Sequence, residues 1–346
     1  MGPLPGSFDG QQPDDDLIRW GVVRGFSADA GVAVGHALSF FDDDNTLDAV
    51  SHSAFRIVGN QVERFTRPAG TPIDNESAGL RATATTADGR TIVGYTSGFD
   101  RLLFTDRPNV DQLPGDGNAA PQVARDAVVW TDGLPQRLSD INPAGGKAFA
   151  AALDVTENGQ VFGVHGDNPY GGSVFRWTPG GGFETAALNG SPFLPGVEVV
   201  QGISATYDGG TAYVDVFENV YVLENAQLQP MANPDLLFFP HSAVTSGDGS
   251  VVVGIDNTGG GYILLDGQPL NFRDYLLDIG VSLDGLADAA ILTPSSISRD
   301  GFVVGGHIRT GSFGSTLLGG FAVTIPEPAA TLLAVGGLVL LRRRAS

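Results

Sequence analysis

The stretch Thr86-Ala-Asp-Gly-Arg-Thr-Ile-Val-Gly94 places a hydroxyl residue, an Asp-Gly pair and a β-forming run in that order. Asp-Gly favours a tight turn because glycine accepts the positive φ such turns need, and Thr-Ile-Val favours the strand that leaves it. The phrase recurs as Ser27-Ala-Asp-Ala-Gly-Val-Ala-Val-Gly35, Thr156-Glu-Asn-Gly-Gln-Val-Phe-Gly163, Thr206-Tyr-Asp-Gly-Gly-Thr-Ala-Tyr-Val214, Ser246-Gly-Asp-Gly-Ser-Val-Val-Val-Gly254 and Ser298-Arg-Asp-Gly-Phe-Val-Val-Gly305. The turn glycines Gly31, Gly89, Gly159, Gly209, Gly249 and Gly301 are 58, 70, 70, 40 and 52 residues apart, a loose period with insertions. Only the fourth copy ends without glycine, on Val214.

After each copy comes a second phrase, an apolar strand, a short turn and a return strand. Ala54-Phe-Arg-Ile leads through Gly59-Asn60 into Val62-Glu-Arg-Phe65, and Val128-Val-Trp130 through Asp132-Gly133 into Gln136-Arg-Leu138. Val174-Phe-Arg-Trp177 with Gly180-Gly-Gly182, Tyr221-Val-Leu223 with Asn225, and Tyr262-Ile-Leu-Leu265 with Asp266-Gly267 read the same way, while Gly320-Phe-Ala-Val-Thr324 has no return strand. One three- or four-stranded unit per repeat predicts an all-β, β-propeller-like domain of six blades over 17–324, followed by a short C-terminal hydrophobic helix. The apolar segment Leu17 to Val23 is expected to supply the sixth blade's missing outer strand and so remove an open edge. A parallel β-helix fits less well, since steps of 58 and 70 residues would need large loops.

These phrases resemble the HAF-type extracellular repeats of bacterial exported proteins, whose units run as a turn, D-G-x-x-V-V-G, a spacer and A-F-x-W. The resemblance covers most of residues 25 to 324 and is degenerate, with the tryptophan present only as Trp130 and Trp177. It implies a propeller-like fold and carries no activity.

Composition agrees with this fold. Glycine (49) and proline (21) make up a fifth of the 346 residues without a G-X-Y period, which favours short strands joined by many turns. The formal charge of −20 opposes nucleic-acid binding, because phosphates would be repelled. With no cysteine, disulfides, thiolate metal sites and cysteine nucleophiles are excluded. Lys147 is the only lysine, against eighteen arginines. Codon usage is the expected cause, and selection for forked contacts to anions is the alternative.

The C-terminus reads Pro326-Glu327-Pro328, then Ala329 to Leu341 without a charge, then Arg342-Arg343-Arg344. Thirteen residues at helical rise reach about 20 Å, short of a full hydrocarbon core, which suits a transient anchor. The arginines favour the cytoplasmic side and place the preceding body outside. This order resembles the PEP-CTERM sorting signal. The resemblance covers about Ile325 to Ser346 and implies the export machinery and an exosortase as partners, with Pro326, Glu327 and Pro328 as the sorting motif and Arg342, Arg343 and Arg344 as the membrane stop. The implied route is export, transient anchoring of segment 325–346 in the inner membrane, then release to the cell surface or extracellular matrix. Residues 1–16 are expected to form a disordered acidic segment with no basic n-region and no apolar h-region, so export requires a start or signal upstream of Met1.

Chemistry-bearing patterns are sparse. Oxygen donors at Asp42, Asp44 and Asp48 could serve a hard cation such as calcium, but Leu47 and Ser53 occupy the positions where an EF-hand needs glycine and glutamate. A solvated inserted loop is the expectation there, and no cofactor is expected. His36, His165 and His307 follow the strand-end glycine of their repeats and could meet around a zinc ion only if quasi-symmetry brought them together. H-E-x-x-H, G-x-x-x-x-G-K-[ST] and G-x-S-x-G are absent. Phe40, Phe41, Tyr170, Phe238, Phe239 and Phe313 could stack on sugars. The expected function is therefore a non-catalytic, exosortase-sorted surface or matrix scaffold. A glycan-binding module, or an enzyme acting on exopolysaccharide through a carboxylate pair, is the alternative.

Overall fold

A computed structural model of the chain describes residues 18–27, 31–43, 46–69, 79–97, 124–141, 149–168, 171–187, 200–216, 219–231, 240–256, 259–265, 267–287, 289–310 and 316–326. The fold is all-β and consists of six antiparallel meander sheets of the β-propeller-blade type. Blade one contains β1 (Ile18–Phe26), β2 (Val32–Asp43), β3 (Thr46–Val58) and β4 (Gln61–Arg64). Blade two contains β5 (Gly79–Thr85), β6 (Thr91–Ser97), β7 (Ala124–Thr131) and β8 (Leu134–Arg137), and the short α1 (Leu138–Ile141) follows it. β9 (Phe149–Val155), β10 (Val161–Asn168), β11 (Gly171–Trp177) and β12 (Phe183–Ala187) form blade three. β13 (Val200–Ala205), β14 (Thr211–Val216), β15 (Asn219–Glu224) and β16 (Gln227–Pro230) form blade four. Blade five is β17 (Pro240–Thr245), β18 (Val251–Asp256), β19 (Gly261–Leu265) and β20 (Gln268–Asn271), which runs into α2 (Phe272–Asp278). Blade six is the three-stranded β21 (Ile291–Ile297), β22 (Val303–Thr310) and β23 (Thr316–Thr324).

The chain divides into two compact units, one built on blades one to four and the other on blades five and six. Within each unit the core lies between consecutive blades. Val34, Phe65, Leu80, Ile92 and Trp130 fill the space between blades one and two, with the Phe65 and Trp130 rings stacked at 5.0 Å and the indole N–H donating to the Thr66 carbonyl at 3.1 Å. Trp177 of blade three packs with Val93, Val129 and Leu138 of blade two and α1, so both tryptophans of the A-F-x-W phrase serve as inter-blade packing. In the second unit, α2 covers blades five and six with Phe272, Tyr275 and Leu276. Its Asn271 side chain caps the helix by accepting from the N–H groups of Arg273 and Asp274.

The repeated phrase is the turn between the first and second strands of each blade. In blade two the Thr86 hydroxyl donates to Asp88 Oδ1 at 2.6 Å and accepts from the Thr91 N–H at 3.1 Å, while Asp88 Oδ1 also accepts from the Arg90 N–H at 3.0 Å. Gly89 then takes φ 69°, as the sequence requires. Blades three to six repeat this with Thr156/Asn158, Thr206/Asp208, Ser246/Asp248 and Ser298/Asp300. In blade one Ser27 Oγ accepts from the Val32 N–H at 2.9 Å.

The strand-end glycine answers a different constraint. A Cβ at Gly94, Gly163 or Gly254 would stand 1.9, 2.0 or 1.8 Å from the carbonyl oxygen of Arg81, Ala151 or Ser242 in the neighbouring first strand. That carbonyl belongs to the residue before the glycine's register partner, and a β-bulge lies nearby in each case. Blade four, which carries Val214 here, has its register shift between Val200 and Gly202, the same place as the shift between Pro240 and Ser242 in blade five.

Three sequence expectations need correction. The segment expected to close blade six instead forms β1, the first strand of blade one, paired with β2 from Ile18↔Phe40 to Phe26↔Ala33. The reason is local: it runs directly into the Ser27 turn, and a hairpin forms more readily than a long-range pairing. The folded body also extends one residue past the expected boundary. Ile325 is 1% exposed and its N–H donates to the Phe302 carbonyl at 2.7 Å. Asp42 and Asp43 end β2, and Thr46 to Asp48 begin β3, so this segment is a hairpin where a loop was expected. Residues 1–17 lie outside the described residues.

Two outcomes are expected. Gly163→Ala loses about 3 kcal/mol in urea unfolding, because its methyl meets both the Ala151 carbonyl and the Phe175 ring, whereas Gly181→Ala, with open space around it, stays within about 0.5 kcal/mol of wild type. The second concerns acid. The Thr86 hydroxyl and Arg90 N–H hold Asp88 below the ordinary carboxylate range, and the Gly210 N–H and Thr206 hydroxyl do so for Asp208. At Asp248 burial pushes upward, but hydrogen bonds from Ser246 and Ser250 prevail and the shift is downward. These carboxylates bind fewer protons folded than unfolded, so their contribution is complete above about pH 4 and is lost as pH falls through the depressed folded values. The variant D88N/D208N/D248N, which copies the natural Asn158, should show a flatter fall in melting temperature between about pH 4 and pH 2.

Candidate functional site: an arginine pair at the first strands of blades one and two

Arginine occurs in the first strands of blades one and two and in no other first strand. The sequence reading gave these residues no role. Their only sequence signal is a cation inside an apolar run, Val22-Val23-Arg24 and Leu80-Arg81-Ala82. Arg24 is the residue skipped by the register between Val23↔Gly35 and Gly25↔Val34, and so occupies a β-bulge. A bulge re-aims the side chain it carries. Arg81 comes from β5, where its Nη1 donates to Tyr95 Oη at 3.3 Å and its guanidinium lies 5.8 Å from the Tyr95 ring centroid. His36 on β2 is 1% exposed.

The electrostatics are those of crowded cations. Desolvation, then Arg81 and Arg24, hold the His36 imidazole well below its usual pKa, so it is neutral at pH 7. Crowding by protein atoms pushes Arg24 down to about 10; Tyr95 acts against this shift and Arg81 adds to it. With its pKa still about 10 and its residue exposed, Arg24 is protonated near neutrality.

The residues singled out from sequence are placed as follows. Pro326 is exposed and directly follows the buried Ile325; Glu327, Pro328 and Arg342 to Arg344 lie outside the described residues. Asp42 pairs in register with Leu47 and Asp48 with Phe41, so the two aspartates stand at successive rather than opposite positions, and Asp44 lies outside the described residues. The three histidines do not assemble: among the described residues no three His, Cys, Asp or Glu side chains form a metal-binding group. His165 packs 5.3 Å from Phe183 and 6.3 Å from Phe175. The phenylalanine backbones of 40 and 41 lie in β2, and Tyr170, Phe238, Phe239 and Phe313 lie outside the described residues. No helix among the described residues is long and apolar enough to cross a membrane.

A shallow open cleft separates β10 to β12 from the β15–β16 turn, lined by Phe162, Arg176, Glu184, Leu223, Asn225 and Ala226. Its guanidinium is engaged on both sides. Arg176 Nε donates to Glu184 Oε2 at 3.0 Å and Nη1 to the Gly209 carbonyl at 3.0 Å, which braces blade three against blade four. Glu184 is the only carboxylate in the lining, so the cleft lacks the acid pair of a glycoside hydrolase.

No family model and no curated protein matches the chain. Among solved structures, it is similar to one from a structural and mechanistic analysis of two prolyl endopeptidases, at 12% identity and a TM-score of 0.46, covering 92% of this chain and 44% of that one. It is also similar to TolB from Acinetobacter baumannii, at 10% identity and a TM-score of 0.42, covering 86% of this chain and 65% of that one. The chain thus spans less than two thirds of either neighbour.

The turn bordering the cleft yields one expected outcome. Asn225 and Ala226 adopt φ 49° and 58°, the left-handed pair of a type I′ hairpin, and alanine has no side-chain compensation for that conformation. Ala226→Gly should raise unfolding stability by about 1 kcal/mol, read as a higher melting temperature.

Proposed function

We propose that this chain is an exported protein whose repeat body acts as a non-catalytic scaffold at the cell surface or in the extracellular matrix, delivered there by exosortase-dependent sorting. The observation that carries this reading is the order of the tail residues: a Pro-Glu-Pro triplet, an uncharged apolar run and three arginines. Each part has a separate physical role. Prolines stop regular structure before the apolar run, the run favours the bilayer, and the arginines resist translocation. The reading is supported by the exposure of Pro326 directly after the buried Ile325. A sorting enzyme could therefore reach Pro326 without unfolding blade six.

The body suits a scaffold. Polar groups tie its blades together, as in the Ala87 N–H to Glu157 bond at 2.6 Å and the Ala205 N–H to Asp154 bond at 2.6 Å. Its negative charge of −20 would favour divalent cations and oppose free approach of polyanions.

The test is to express the gene with its natural upstream region in an exosortase-bearing host, fractionate the cells and determine mature termini by mass spectrometry. The expected result is an extracellular or surface body lacking Ala329 to Ser346, and retention of the tail when Pro326 and Pro328 are both replaced by alanine. A cytosolic protein with Arg342 to Arg344 intact would overturn the proposal.

A further inference from the structure

Blade six ends on an edge unlike that of the other blades. The outermost strands of blades one to five, β4, β8, β12, β16 and β20, are four or five residues long, and each carries a charge or a proline, among them Glu63, Pro135, Glu184, Pro230 and Pro269. Short length, charge and proline are the devices by which a sheet edge resists pairing with another chain. β23 is nine residues long and has neither charge nor proline. It stands in the third-strand position, where β15 and β19 bury Val220, Tyr221, Tyr262 and Ile263, yet no residue from Leu318 to Thr324 is buried. Among the described residues nothing pairs with its outer edge. The direction of its backbone groups follows from the register. β23 pairs regularly with β22 from Gly319↔Ile308 to Thr324↔Val303, and the Ile325 N–H continues that ladder by donating to the Phe302 carbonyl at 2.7 Å. Backbone groups alternate in direction along an antiparallel strand, so Phe321 and Val323 point theirs at β22, while Gly320, Ala322 and Thr324 point theirs at the open edge.

We infer that β23 is a docking edge for the β23 strand of a second copy of this chain, the two strands pairing antiparallel about a two-fold axis so that two copies of blade six form one continuous sheet. Such an axis places a residue ahead of it opposite the residue equally far behind it, always an even number of positions away. Edge-pointing Gly320, Ala322 and Thr324 therefore meet only edge-pointing residues, and the open N–H and C=O groups of both copies are satisfied together. The edge favours an uncharged, proline-free partner with β-forming residues, and the segment Gly319 to Thr324, with Phe321, Val323 and Thr324, is itself such a strand. Pairing it with its own copy also keeps like charges out of a junction between two chains of net charge −20. The register shift between Ile308 and Arg309 ends the regular stretch and limits the junction to about 20 Å of strand. One sheet thick, that strip measures roughly 200 Å² on each copy, well under the ~800 Å² per partner of a standard interface, so the dimer is weak and depends on concentration. Both edges are used up in the pairing, which closes at two copies instead of growing a fibre. The inference stands independently of the sorting proposal, because it concerns only blade six.

The experiment is sedimentation velocity of the full chain from about 1 to about 300 µM, the range in which a small interface associates, at low and at moderate salt. A reversible monomer–dimer equilibrium is expected, tightened by salt because screening weakens the repulsion between two −20 chains. Ala322→Pro removes an edge-pointing N–H and leaves the β22 ladder whole, so it should weaken dimerisation at least about tenfold with an unchanged melting temperature in dilute solution. Ala322→Lys should weaken it as well, by bringing like charges into the junction, and decides the matter if the proline variant unfolds. Hydrogen exchange reads the edge directly: the Gly320, Ala322 and Thr324 amides should exchange freely in the dilute monomer and slow as the dimer forms. Amides already protected in the dilute monomer would mean that another part of the same chain covers the edge. Undiminished dimerisation of both variants would mean that the copies meet elsewhere, as through the apolar run Ala329 to Leu341. Either result, or a monomer at every concentration, overturns the inference.

Discussion

A side-chain hydroxyl seated inside a five-residue turn is the interaction on which the rest of the structure depends. The Thr86 and Ser246 hydroxyls each accept a backbone N–H from the strand that follows and donate to the aspartate two residues on. This double use pins the relative register of the first two strands of each blade, and the hydrophobic faces follow from that register. Register fixed locally matters more in a repeat fold than in a single sheet, because each blade buries its face only against its neighbours. The same turn also contacts the next blade. Gly89 packs against Val32 and Gly301 against Ser246, while the Gly247 N–H donates to the Arg299 carbonyl at 2.7 Å. Glycine at the turn thus satisfies backbone conformation and close approach at once, which explains why the Asp-Gly pair is the least degenerate part of the phrase.

The second fixed point is the carbonyl that sits over the strand-end glycine. In blades two, three and five the bulged first strand turns a carbonyl oxygen toward the second strand, and only a residue without Cβ fits beneath it. Blade four carries Val214 where blade five carries Gly254, although the register shifts of their first strands fall at the same place, between Val200 and Gly202 and between Pro240 and Ser242, so the register does not explain this substitution. The bulge has a chemical consequence as well, since the residue it extrudes differs from blade to blade: Arg24, Thr83 and Leu153 occupy the skipped positions in blades one, two and three. One backbone device can thus present different chemistry in each repeat without altering the fold.

What the sequence made legible follows from range. Turns and hairpins are specified by residues within a few positions of one another, so the Asp-Gly turns and the hairpins that follow them could be read directly. β1 was misplaced because an apolar strand carries no label for its partner. The hairpin at Asp42 to Asp48 was hidden by its charges, which resemble a solvated loop. α2 was missed although Asn271 is a capping residue and Phe272, Tyr275 and Leu276 follow a helical spacing; seven residues is too short a run to outweigh the surrounding strand pattern. The arginine pair was the least visible, because its members are 57 residues apart and only the packing of β1 on β5 brings them near each other.

Arg56, Arg90, Arg137 and Arg176 are tied to carboxylates at sites that the repeat explains. Arg56 pairs with Glu63 at 2.6 Å and Arg176 pairs with Glu184, and in both cases the partners are directly opposite in the third and fourth strands. These are the variable positions of the A-F-x-W phrase, so the fork serves to tie a return strand that is only four or five residues long. Arg90 with Asp132 and Arg137 with Asp140 do similar work at exposed turns, where each pair contributes at most about 1 kcal/mol. Arg81 of β5 is held differently, its guanidinium donating to the Tyr95 hydroxyl at 3.3 Å and lying 5.8 Å from the Tyr95 ring centroid, so there an aromatic side chain of the second strand takes the place of the carboxylate on a return strand.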